Sequence, residues 1–496
     1  MMKKLGSLFA LAMVIATVGQ AQQSELNLYH LYKTVPQANS LNAALFPDYK
    51  ITVAMPGFGG HLAYVNNNFL TLNYIRKNTD ATGTLNLSAS DFSDELRSVN
   101  RLEVGTNSNI FHVGMRFPTT YVSVGANLRT TAGISMPREF LELILLGNGH
   151  PDVAESNIDL RKFSLRNMMY AEAYVTVGKE ITTDLYVGGR IKYLNGLTHF
   201  GLDRIGADFT VNSEEATMQV EEFTLRSGGI AGLALKSVID STNNSPIGDI
   251  NPQLLFSNFR NSGLAFDVGG RYQWGDFMFH GGLNDLGFIR WNPNSTLQLQ
   301  FRDAEFSYDG IDLARYITNP DQAQNDFNSL GDNIDSLVEV YSPEIIQNQG
   351  YSTALTGRFY LGAYYDLGSF HRVGVLSYNT LVNRRLFPAL NFSYNIKVRK
   401  IVNFAVSTSL VGGKFNNLGT GASVNLGLFN LYMSTDNVLA FMTPAAAQNV
   451  NARVGINFNF GTVGGKRVRL RRDKQAVDNG GEEGTLDFLD EDGGRR

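Results

Sequence analysis

The sequence predicts an all-β protein: a single transmembrane outer-membrane β-barrel of about 14 antiparallel strands, with a signal peptide before it and a disordered C-terminal tail after it. Three observations carry this. The N-terminus has the build of an export leader. No later run reaches the roughly 18 apolar residues of a spanning helix. The rest alternates apolar and polar residues over stretches of about ten, the length that crosses a bilayer as a tilted strand. Composition agrees. The 496 residues include 50 Gly, 32 Phe and 21 Tyr but only 18% charged side chains, which suits an aromatic-rich, turn-rich β protein.

The leader comes first. Lys3 and Lys4 precede the apolar stretch Leu5–Val18, and Gly19-Gln20-Ala21 places small residues at −3 and −1, so cleavage is expected near Ala21. Residues 22–50 are poorly periodic and are expected to form an N-terminal segment, lumenal or periplasmic, that is a candidate plug.

Residues 51–461 are assigned to the barrel. Between Leu264 and Trp274 one face carries Leu264, Phe266, Val268, Gly270, Tyr272 and Trp274, and the other Asp267, Gly269, Arg271 and Gln273. Leu185, Val187, Gly189, Ile191 and Tyr193 oppose Asp184, Tyr186, Gly188, Arg190 and Lys192. Residues 358–367 and 453–460 behave alike, the latter setting Val454, Ile456, Phe458 and Phe460 against Arg453, Gly455, Asn457 and Asn459. Lipid requires an apolar outer face and a closed sheet, while a lumen tolerates a polar inner face. A soluble sandwich also alternates, but its strands are nearer five or six residues long. Further alternating runs include 197–226 and 295–308, which are counted here with the wall. Tyr193, Tyr272 and Trp274 are expected at the interfacial girdles.

Three long insertions interrupt the strands: 137–162, with a helix expected at Arg138–Leu146; 235–261, rich in Asn, Ser and Pro; and 309–352, with a weakly helical stretch from Asn325 to Val340. Residues 462–496 form a charged tail. Six of the nine residues 466–474 are basic (Lys466, Arg467, Arg469, Arg471, Arg472 and Lys474), and an acidic stretch follows. Such charge blocks read as a disordered segment, here expected in the periplasm, and the basic residues are candidates for docking a partner.

Several local patterns resemble one family. Asn42-Ala43-Ala44-Leu45-Phe46-Pro47 with the strand Tyr49–Pro56, Gly263–Gly269, Gly282-Leu283-Asn284-Asp285-Leu286-Gly287 with Arg290-Trp291, Tyr432–Asn437 and Arg453-Val454-Gly455 resemble a Bacteroidota outer-membrane barrel family, a domain of unknown function. That family is similar in architecture to fatty-acid-transporter-type barrels and to barrels associated with type IX secretion. Ala43 stands where its usual Asn-Pro-Ala has proline. The resemblance implies location and fold and carries no chemistry.

The search for chemistry excludes more than it offers. Without cysteine there is no thiol catalysis and no Cys-ligated metal. A net charge of −4 excludes a chain-wide nucleic-acid footprint. The seven histidines form no H-x-x-x-H or H-E-x-x-H pattern, and there is no G-x-S-x-G elbow or P-loop. Neither enzymatic activity nor a cofactor is expected. The candidate lumen-lining residues are the polar-face ionisable groups Glu172, Asp184, Arg190, Lys192, Asp267, Arg271, Arg358 and Asp366, either as ligand contacts or as mutual pairs that stiffen the interior. Two functions follow. One is passive transport or binding of a small molecule, hydrophobic ones included, through a partly plugged lumen. The other is a scaffold whose loops and tail dock secretion, assembly or surface-protein partners. Outer-membrane lipid is a partner in both.

Overall fold

A computed structural model describes residues 25–69, 71–77, 96–146, 153–211, 216–239, 260–308, 343–382, 385–398, 401–411, 414–415 and 417–462. The leader, the stretch 325–340 and the tail with Lys466, Arg467, Arg469, Arg471, Arg472 and Lys474 lie outside the described residues.

Fourteen antiparallel strands close into a barrel. β1 is built from two pieces, Tyr49–Ala54 and His61–Asn67. Then come β2 (Val99–Arg116), β3 (Thr120–Pro137), β4 (Ser164–Glu180), β5 (Leu185–Val211), β6 (Ser262–Trp274) and β7 (Phe277–Trp291). β8 is again double, Tyr351–Ala354 and Gly357–Asp366. β9 (His371–Val382), β10 (Arg385–Val398), β11 (Val402–Val411), β12 (Gly419–Leu426), β13 (Phe429–Thr435) and β14 (Asn449–Thr462) complete the wall. The seam is made by β1, whose two pieces pair with β14 on one side and β2 on the other, for example Val53 opposite Phe458 and Val113.

Turns alternate in length. β6 and β7 are joined by Gly275-Asp276 and β12 and β13 by Gly427-Leu428, and both glycines have positive φ, 59° and 64°. The opposite end carries the long connections. β5 has 27 residues, or about 90 Å of extended chain, several times the ~25 Å apolar band of such a barrel. Only Leu185–Asn195 pairs with β6 in the wall. The remainder pairs with Ala216–Gly229, which pairs in turn with Thr296–Tyr308 and that with Glu344–Gln347. The runs 197–226 and 295–308, counted with the wall from the sequence, therefore build a separate loop-side sheet. Its apolar face is covered by protein, not lipid: Leu143, Ile158, Val220, Leu235, Leu299 and Phe301 form a small core there, with the helices Arg138–Leu146 and Ile230–Ile239 contributing. Alternation is the same for both kinds of covered face, so periodicity could not separate them.

The wall is apolar outside. Val175 (50%), Ile191 (58%), Val268 (49%) and Leu361 (63%) are exposed, as are Trp274, Phe277, Phe370 and Phe429 near the short turns. A soluble monomer does not expose a continuous apolar band of this extent, so the band is a lipid-facing surface. Among the described residues no helix is long and apolar enough to cross a membrane; the strands do the crossing.

Candidate functional site

Because side chains alternate along each strand, every second residue points into the lumen, and the polar residues of the wall fall on that face. Glu172 on β4, Arg190 and Lys192 on β5 and Asp267 on β6 arrive there in this way, with Arg190 directly opposite Asp267 in the strand register. β7 breaks the alternation. A bulge between Leu283 and Leu286, with Asp285 at φ 60°, turns two consecutive residues, Asn284 and Asp285, inward. A left-handed conformation is tolerated best by Gly, Asn and Asp, so the Asn-Asp pair suits this bend.

Asp285 becomes the hub of a buried charge network. Its carboxylate accepts from Lys192 at 2.6 Å, from Arg129 at 3.3 Å and from Arg358, while its N–H donates to Asp267 at 2.8 Å. Lys192 also meets Asp267 at 2.8 Å, and Arg129 meets Glu172 at 3.1 Å. Arg190 lies 3.9 Å from Asp267, donates to Thr176 at 2.7 Å and stacks over Tyr174. Burying ions is costly unless each is paired and hydrogen-bonded, and this cross-linking pairs them over six strands, β3 to β8.

The N-terminal segment supplies the remaining carboxylate. Glu25 pairs with Arg358 at 3.4 Å and with Arg453 of β14. The short helix that follows, α1 (Leu26–His30), starts on Asp436: Oδ1 accepts from the Asn27 N–H at 2.8 Å and Oδ2 from that of Leu26 at 3.2 Å. A carboxylate at a helix N-terminus satisfies donors that have no intrahelical partner. His30 bridges Tyr364 (2.6 Å) and Asn391 (2.8 Å), and Tyr29 bonds His280 at 2.7 Å. Leu26, Leu28, Leu31, Val35 and Leu45 pack with the wall residues Tyr360, Tyr378 and Leu376 into the main lumen core. The chain then doubles back. Asn39 accepts from Arg190 at 2.8 Å, and Asn284 donates to the carbonyls of Ser40 (2.8 Å) and Leu41 (3.0 Å). Wall glycines make room for it: a Cβ on Gly188 would fall 2.1 Å from the Ala43 carbonyl oxygen, and one on Gly269 2.0 Å from Asn42 Oδ1.

A second polar group sits toward the short turns. Asp366 binds Arg372 at 2.6 Å, Arg372 donates to Tyr32 at 2.9 Å, and Asp48 lies between Lys397 (3.3 Å) and Arg116 (3.6 Å). On the loop side of the central network lies a cavity of about 110 Å³ lined by Glu25, Arg101, Glu103, Arg129, Arg166, Arg358 and the tyrosines Tyr64, Tyr170 and Tyr378. Among the described residues no group of three or more His, Asp or Glu is placed to hold a metal.

Of the sequence-derived candidates, Glu172, Arg190, Lys192, Asp267 and Arg358 meet in the central network. Arg271 and Asp366 do not join them: Arg271 stacks on Tyr186, 3.8 Å from the ring centre, near the short-turn end. Asp184 is a correction. It lies exposed in the turn Ile181–Asp184 before β5 begins, with its N–H on Thr182 Oγ1, and does not line the lumen. Sequence reasoning missed Arg129, Asp285, Glu25 and Arg453 as site residues. Arg453 shares the polar face of its strand with Asn457, and Asn284-Asp285 stands out as two adjacent polar residues in an alternating run. Glu25 has no such signal, since its segment is aperiodic.

The profile of a family described as a family of unknown function (DUF5723) matches residues 44–436. No curated protein matches the chain. Among solved structures, the toluene transporter TodX of Pseudomonas putida is similar at 8% identity, covering 89% of this chain and 95% of its own with a TM-score of 0.34. A FadL homologue of Pseudomonas aeruginosa is similar at 7% identity, with 89% and 99% covered and a TM-score of 0.39. The translocator domain of the autotransporter NalP from Neisseria meningitidis is similar at 8%, with 83% and 88% covered and a TM-score of 0.30.

Proposed function

The chain belongs to the family of unknown function DUF5723, and on that footing we propose that it is an exported outer-membrane barrel passing a small solute through a lumen that its own N-terminal segment keeps closed. One observation carries this reading. The segment from Glu25 to Phe46 is buried inside the wall, yet it is held by ion pairs, side-chain hydrogen bonds and glycine clearances, all of which can be exchanged without breaking a strand. A barrel meant only to be solid would fill its interior from its own strands. Here the filling belongs to a segment that precedes the wall and joins it where Asp48 leads into β1. In this reading the segment is a plug, the cavity above it receives the solute from the loop side, and passage follows when the plug yields. A polar or amphipathic solute suits the charged cavity lining better than a purely hydrophobic one, because burying unpaired charge against an apolar ligand is unfavourable.

The test uses the absence of native cysteine. Thr34 Oγ1 and Ser423 Oγ are 2.7 Å apart, close enough for Thr34→Cys/Ser423→Cys to form a disulfide between the segment and β12. In solute-loaded liposomes the reduced variant should admit small polar solutes and the oxidised one should not. Equal permeation in both states, or none in either, overturns the reading.

The loop-side sheet favours a second reading, because it raises a self-supporting surface beyond the wall. In that reading the loop-side sheet docks a partner on its own side of the membrane, and the basic tail residues Lys466–Lys474 dock one on the periplasmic side. Co-purification of a stoichiometric partner, lost when residues 466–496 are removed, would support it.

A further inference from the structure

We propose that the loop-side cavity binds a small organic carboxylate and that Glu25 is the internal anion this ligand displaces. The inference rests on the passage reading and adds the substrate class. Glu25 lines the cavity and is the one carboxylate that the N-terminal segment brings to the central network. It is held in a left-handed conformation, φ 76°, which a non-glycine residue adopts only at a cost. Its ion pairs to Arg358 and Arg453 offset that cost, so a competing anion releases a backbone that is already strained.

The guanidinium groups are supplied in excess. Arg101, Arg129, Arg166 and Arg358 line the cavity against three carboxylates, Glu25, Glu103 and Asp285. Among the described residues Arg453 meets no second carboxylate, and its Nε has no hydrogen-bond partner. Arg166 donates to the Ala354 carbonyl and lies near Met168 Sδ, with no carboxylate within ion-pair distance among the described residues. Withdrawal of Glu25 leaves four arginines facing two carboxylates. A solute carboxylate restores the balance through charge-assisted bonds of the kind Glu25 makes; a neutral or cationic solute would leave Arg453 buried and unpaired. Size narrows the class. The cavity, about 110 Å³, is of the same order as the ~150 Å³ void that accommodates benzene, so the ligand has no more than about six heavy atoms.

The experiment uses the full chain in lipid nanodiscs and equilibrium dialysis with butyrate, with butylamine and 1-butanol as probes of like size. Butyrate should be retained and the other two should not. Glu25→Gln should raise butyrate affinity roughly tenfold and Arg453→Gln should lower it by a similar factor, with both variants keeping the gel mobility shift of a folded barrel. Equal retention of the three probes, or unchanged butyrate affinity in Glu25→Gln, overturns the proposal. The same dialysis on oxidised Thr34→Cys/Ser423→Cys separates the two readings. Butyrate binding without passage in the reduced state would sink passage alone, and passage without any preference for carboxylates would sink this inference alone.

Discussion

Replacing Asp285 by Asn tests the central network directly. Asn tolerates the left-handed bend at this position as well as Asp does, so the bulge of β7 stays and only the charge goes. The new amide keeps one accepting oxygen and turns its NH2 toward cations that are donors themselves, either Lys192 or the pair Arg129 and Arg358. Five cations (Arg129, Arg190, Lys192, Arg358, Arg453) would be left with three carboxylates in place of four. Breaking a buried ion pair costs about 3–5 kcal/mol. The lower end applies here, because Lys192 keeps Asp267 at 2.8 Å, Arg129 keeps Glu172 at 3.1 Å and Arg358 keeps Glu25 at 3.4 Å. A loss of about 3 kcal/mol is therefore expected. The assay is equilibrium unfolding in urea of the barrel in lipid vesicles, read by fluorescence from the two tryptophans, exposed Trp274 and buried Trp291. Asp285→Asn/Arg358→Gln restores the original excess of one cation and should recover about 1–2 kcal/mol. A single-variant loss below about 1 kcal/mol, or a double variant no more stable than the single one, would refute the view that Asp285 is an electrostatic hub.

Two further outcomes are expected. Gly188→Ala drives a methyl group into the Ala43 carbonyl, 2.1 Å away, and should destabilise the seated N-terminal segment by about 1–3 kcal/mol; planar-bilayer recordings should show more open events with the folded-barrel gel shift unchanged. Leu299→Ala empties part of the loop-side core and should cost that sheet about 2–5 kcal/mol, seen as faster proteolysis within its strands, residues 197–229 and 296–308, while the strands in the wall remain protected.

The wall was legible in the sequence because lipid imposes a rule on every second residue, and β6 obeys it from Leu264 to Trp274. The expected strand number, about 14, matches the wall, although the runs counted toward it included 197–226 and 295–308, which lie outside it, while 419–434 holds two strands. Which runs lie outside could not be read, because Leu299 covered by protein and Phe266 facing lipid give the same alternation. Within the site, residues fixed by alternation alone (Glu172, Arg190, Lys192, Asp267, Arg358) could be nominated. Asp285 could not, because a bulge shifts the phase by one residue and reverses the face assigned to everything after it. Glu25 was out of reach for another reason: its position depends on Asp436 and Arg453, which only the closed barrel brings near it.

The separation of these partners along the chain also bears on assembly. Glu25 and Arg453 are 428 residues apart, Gln37 and Asn457 420, and Asn27 and Asp436 409. The seam between β1 and β14 spans a similar distance. Contacts this remote contribute nothing until the entropy of joining the two ends has been met. The contacts that pin Glu25, Asn27 and Gln37 to the end of the chain therefore form late, with the event that zips the first strand to the fourteenth. A nascent barrel halted before β14 has neither a sealed wall nor these anchors.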